Sequence, residues 1–118
     1  MPRKSGSSSS KRQKTSLPDR VQVLGTFFRV EVTDIGEELA GDTLGFVRRI
    51  RISQDSDDRR KWTTLVHEWI HAAMYVNGVA NVISSDMEEV IAQSMEHVIE
   101  EMLRQIGPQL LAQITEDK

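Results

Sequence analysis

The sequence predicts an α+β fold: a small antiparallel sheet followed by two helices. Three observations carry this. Between residues 21 and 53, apolar and polar side chains alternate with the period of two that half-buried strands show. From Ser56 onward the apolar spacing changes to three and four, the period of helices. The chain has 118 residues, enough for one domain, with 38% hydrophobic and 28% charged residues, the balance of a globular protein. No apolar run approaches the roughly 20 residues that a membrane span requires. With no cysteine, disulfides, thiolate metal sites and cysteine nucleophiles are all excluded. Any metal must rest on His, Asp and Glu.

Residues 1–18 read as a disordered basic tail. Residues 1–20 hold six basic side chains and one acid, and the rest of the chain holds nine basic and 17 acidic ones. The run Ser5-Gly6-Ser7-Ser8-Ser9-Ser10 has too little apolar surface to offset the entropy of ordering. The basic group Lys11-Arg12-Gln13-Lys14 can touch nucleic acid phosphates or an acidic partner, or simply solubilise the chain; solubilisation is the favoured reading. Residues 19–118 read as the folded domain. No apolar signal core accompanies the basic residues, so a cytoplasmic location is expected.

Val21 to Val32 reads as a strand or hairpin, with Gly25 at a turn and Phe28, Val30 and Val32 on one face. Asp34 to Asp42 reads as turn. Leu44 to Ser53 reads as a second strand, with Ile50 and Ile52 inward, pairing antiparallel to the first. Trp62, Leu65, Val66, Trp69, Ile70, Ala73 and Val76 mark the buried face of the first helix, capped by Asp55 or Ser56 and stopped by Asn77-Gly78. The second helix is expected from Ser85 to Ile106. Its stripe runs through Met87, Ile91, Met95, Val98 and Met102, and Gly107-Pro108 is expected to end it.

The first helix carries His67-Glu68-Trp69-Ile70-His71, the pattern H-E-x-x-H. Residues four apart share one helix face, so both imidazoles can reach a single tetrahedral zinc ion. Glu68 then lies beside the open position, where it can accept a proton from water. Chance alone gives this pattern in a chain of this composition on the order of 1% of the time. Catalytic zinc takes a third protein ligand. Glu88 falls within the apolar stripe of the second helix, where an unpaired carboxylate is costly, and a metal would be its partner. Glu88 is therefore the expected third ligand, with Glu89 in reserve. The alternative is a capping box, Ser85-Asp86-Met87-Glu88, in which Glu88 only bonds the helix start. His97 reads as a helix-surface residue. Tyr75, one turn beyond His71, reads as a rim residue that can also assist at an oxyanion.

Thr64 to Ala72, the preceding strands and the acidic opening of the second helix together resemble the small gluzincin-type zinc metallopeptidases. The chain is similar in particular to the compact forms encoded by bacteriophages and prophages and to the ImmA/IrrE-like proteins. The resemblance spans about residues 21–106. It implies a minimal zincin fold and a peptide or protein substrate. It further implies His67 and His71 as zinc ligands, Glu68 as general base, and a Glu near position 88 as third ligand. A phage-encoded member would act in the host cytoplasm. The bare edge of the Leu44–Ser53 strand would align an extended peptide, with Arg48 and Arg49 favouring acidic sequences. A second function fits the short chain: a non-catalytic protein-interaction module stabilised by zinc.

Overall fold

A computed structural model describes residues 17–116. The expected tail therefore lies outside the described residues except for Leu17 and Pro18; Leu17 packs against the core. Strands β1 (Arg20–Val23), β2 (Thr26–Thr33), β3 (Gly41–Leu44) and β4 (Arg49–Ser53) precede two helices, α1 (Asp58–Val76) and α2 (Ser85–Glu116). The sheet order is β1-β2-β4-β3.

β1 and β2 form a hairpin in which Val23 faces Thr26. Leu24 and Gly25, the two residues between them, both have positive φ, at 48° and 85°. Two such residues make the turn whose twist matches the flanking strands. The alternation then places Val21, Val23, Phe28, Val30, Ile50 and Ile52 on one face, where they meet Leu65 and Ala72 of α1 in a single apolar cluster.

The sheet is mixed rather than antiparallel. β2 and β4 run parallel, pairing Val30 with Ile50 and Val32 with Ile52. The expected strand Leu44–Ser53 is interrupted by a short turn at Gly45–Val47 and by Arg48, whose φ is 56°. Gly41–Leu44, which takes in the last two residues of the expected turn and the first of the expected second strand, forms the edge strand, antiparallel to β4. This reversal returns the chain so that β4 enters beside β2 in the same direction. Gly41-Asp42-Thr43 lacks apolar alternation, so nothing in its pattern signals a strand. Its ladder is held by a two-point ion pair instead: Arg51 Nε and Nη2 donate to the Asp42 carboxylate at 2.9 and 2.6 Å.

α1 starts at Asp57, one or two residues later than expected, where the Asp57 side chain accepts from the Arg60 N–H at 2.8 Å. It ends at Asn77, followed by Gly78 with φ 87°. Its inward face differs from the expected one. Trp62 and Trp69 remain 42% and 38% exposed, while Lys61, Thr64, Leu65, Glu68 and Ala72 are buried. The helix can turn Lys61 and Glu68 inward because each finds a partner: the Lys61 ammonium donates to the Ser56 carbonyl, and Glu68 accepts from Thr43.

α2 is capped by Ser84, whose hydroxyl accepts from the Met87 N–H at 3.0 Å. It does not stop at Gly107-Pro108 but continues as one helix to Glu116. Pro108 removes one hydrogen bond, to the Arg104 carbonyl, in a segment open to water. Gly107, the preceding residue, has no Cβ to strike the proline ring, which relieves much of the usual steric barrier. The stripe of Met87, Met95, Val98 and Met102 is exposed; the residues turned toward α1 include Glu88, Glu89, Ala92 and Glu96. Beyond Glu100 the helix outruns α1 and is exposed at every described position but Gly107.

Candidate metal centre

His67 and His71 lie one turn apart on α1, their rings 5.0 Å between centroids and inclined by 61°. Glu89 on α2 spans both: its Oε2 is 3.2 Å from His67 Nε2 and its Oε1 is 3.0 Å from His71 Nε2. One donor atom from each of the three residues falls within 4.8 Å of the other two. Zinc at about 2.0–2.1 Å from N and O donors in a tetrahedron sets those donors roughly 3.3–3.4 Å apart. The Glu89 contacts are already close to that separation.

The outer ring nitrogens are also engaged. His67 Nδ1 meets Glu96 Oε1 at 2.9 Å, and His71 Nδ1 meets Glu88 Oε2 at 2.6 Å. A carboxylate on Nδ1 favours the tautomer in which Nε2 offers its lone pair inward. Glu88, the expected third ligand, thus lies on the outer side of the His71 ring, and Glu89, the reserve, occupies the inner position. Nor does Glu88 form a capping box, because the cap is Ser84 and its carboxylate is committed to His71. His97 takes no part; its Nδ1–H donates to the Gln93 carbonyl at 2.8 Å.

Glu68 is buried beside the two imidazoles, 7% exposed. The Thr43 hydroxyl of β3 lies 2.7 Å from its Oε1 and 3.0 Å from its carbonyl oxygen, sharing one proton between them. Burial pushes the Glu68 carboxyl above its ordinary value, and the charge of Asp42 adds to this. The Thr43 hydrogen bond and the charges of His71 and His67 pull the other way without cancelling it. A carboxyl raised toward neutrality is better matched to accepting and returning a proton. His71 also lies above its ordinary value. Burial lowers it, but the bond with Glu88, the charge of Glu68 and the bond with Glu89 together outweigh burial.

β3 reaches this close because of Gly41. A Cβ there would sit 2.6 Å from Thr64 Cγ2, 2.9 Å from the Arg51 carbonyl and 3.3 Å from Glu68 Cγ. Gly45 similarly gives way to the ring of Tyr75. The result is a cleft of about 360 Å³ lined by Gly41, Thr43, Glu68, His71, Tyr75 and Glu89. The free sheet edge beside it belongs to β3, whereas β4, the expected edge, lies inside the sheet with Arg49.

Sequence reasoning missed Thr43, Gly41 and Glu96. Glu96 had a signal: it stands seven residues after Glu89, so the two share a helix face. Thr43 and Gly41 had none, since only the reversal of β3 brings them to α1.

Fold and donor set together define an α+β protein with a His–His–Glu cluster able to hold a metal ion between two helices. No known protein family, no curated protein and no solved structure matches the chain. Among the described residues no helix is long and apolar enough to cross a membrane.

Proposed function

We propose that the protein is a zinc-dependent metallopeptidase of the small gluzincin type. His67, His71 and Glu89 hold the metal, and Glu68 is the general base. The observation that carries the reading is the meeting of two α1 imidazoles with an α2 carboxylate, with a buried, proton-tuned carboxyl next in sequence to the first of them. Bound zinc supplies a water acidified toward a pKa of about 7 and polarises the carbonyl under attack. Glu68 takes the proton of the attacking water and delivers it to the leaving amine. Thr43 holds one Glu68 oxygen in place and leaves the other free for this exchange. Glu88 and Glu96 orient the imidazoles. The open edge of β3 aligns an extended peptide through main-chain hydrogen bonds. In this reading the protein acts in the cytoplasm, that of the host cell for a phage gene.

A non-catalytic role has one observation in its favour. α2 meets α1 largely through the His–Glu pairs, and Ala92 is its only fully buried apolar residue, so a metal would also fasten the helices. Glu68→Gln separates the two. Measured by metal analysis and cleavage of a peptide library, the variant should keep one zinc per chain and lose activity by about 10²- to 10⁴-fold. Wild-type protein that carries zinc and cleaves no peptide would establish the structural role instead.

A further inference from the structure

The sheet face turned away from α1 carries an unusual row. Arg20 pairs with Arg29, and Arg29 with Arg49, so three guanidiniums stand side by side across β1, β2 and β4. They lie on the face opposite Phe28, Val30 and Ile50. Like charges directly opposite one another weaken a sheet, so such a row costs stability. Arg48 joins them, held at the rim of the same groove. Arg49 is offset by Glu31 at 3.4 Å, and Arg51 by Asp42. Arg20, Arg29 and Arg48 make no ion pair among the described residues.

Aromatic rings accompany the charge. Phe27 is half exposed, and the Arg20 guanidinium stacks 4.4 Å above its ring. Phe46, in the turn leading to Arg48, is 91% exposed. Asp19 and Glu31 also line this groove, whereas Glu88 and Glu89 of α2 line the cleft at β3. In the sequence, five basic residues and no acid precede the described chain within residues 1–16.

We propose that this open sheet face binds single-stranded nucleic acid. Unpaired guanidiniums neutralise phosphates, while exposed rings and a stacked guanidinium give unpaired bases flat surfaces to lie on. A duplex offers no free base faces to those rings. An acidic peptide would seek main-chain partners at a sheet edge, which a face does not provide. The site is separate from the metal centre and does not depend on its chemistry.

The test is fluorescence anisotropy of the full chain with a labelled 12-nucleotide oligo(dT), at 50 and 200 mM salt. If three phosphates are engaged, the face contributes a salt slope of about −2, so binding weakens roughly 15-fold between the two conditions. The variant R20Q/R29Q/R48Q should bind at least about tenfold more weakly at 50 mM salt, with a flatter slope. Phe27→Ala should weaken binding with the slope unchanged. Thermal unfolding confirms that each variant is folded; Arg48→Gln alone, in an exposed turn, serves should the triple variant not fold, and should still lower the slope. The proposal is overturned if these variants bind like wild type while K11Q/R12Q/K14Q abolishes binding. It is equally overturned if a duplex of the same length binds tighter, or if poly-glutamate displaces the oligonucleotide at equal charge.

Discussion

The two sides of α1 are built on opposite principles. Toward the sheet, Leu65 and Ala72 meet Phe28, Ile50 and Ile52 in a dry cluster whose members are each almost fully buried. Toward α2, the same helix presents His67 and His71 to Glu88, Glu89 and Glu96. That cluster is held by apolar burial, which needs no ligand and varies little with pH. The α2 interface is held by charge-assisted contacts between partly exposed groups, which contribute little on their own in water. One side is a scaffold, and the other is the candidate metal site.

The contrast can be broken by experiment, beginning with the scaffold. Phe28→Ala removes a fully buried ring and should cost about 3–5 kcal/mol in denaturant unfolding, with metal or without it. Any strong dependence of that loss on metal would erase the distinction between the two interfaces. Chelation should do the reverse. Zinc at 100 times its dissociation constant adds about 2.7 kcal/mol to stability, so its removal should cost that much. Hydrogen exchange should rise along α2 while β2 and β4 stay protected. Glu88→Gln should lower zinc affinity by about 10- to 100-fold, since it loosens the outer nitrogen of His71 and leaves the inner donors present. Glu89→Gln should lower it further; calorimetric titration giving the opposite ranking would exchange the roles of the two residues.

The smallest expected effect is that of pH. Glu68 and His71 both titrate higher in the folded protein than in the unfolded chain. The native state therefore binds protons more tightly, and stability falls as pH rises. The Glu68 contribution is complete below about 4.5 and the His71 contribution below about 6.5, their ordinary values; each is lost as pH climbs through the higher native value. Metal-free protein should thus melt at a lower temperature at pH 8 than at pH 5.5. Zinc competes with those protons, so its added stability should grow over the same interval.

This division also governs how much could be read from the sequence. Alternation in Phe28-Arg29-Val30 and Ile50-Arg51-Ile52 revealed the core strands because apolar burial has a period. The H-E-x-x-H pattern revealed half of the centre because it is local to one helix. The remainder depends on how α2 rolls against α1. That roll is set by carboxylate–imidazole contacts rather than by the apolar stripe, so weighting Met87, Met95 and Met102 aimed the helix wrongly and favoured Glu88 over Glu89. The direction of β4 was hidden for a similar reason: Gly41 and Thr43 belong to an edge strand through their closeness to Thr64 and Glu68, and no periodicity records that closeness.

The overrun of α2 past α1 converts small rotations into large displacements. Some 16 residues beyond Glu100, at 1.5 Å each, form an arm of about 24 Å. A tilt of about 10° where Glu88, Glu89 and Glu96 grip the imidazoles would sweep its tip through about 4 Å. Whatever alters the grip at the histidines is thereby magnified at Leu110 and Ile114, far from His67 and His71.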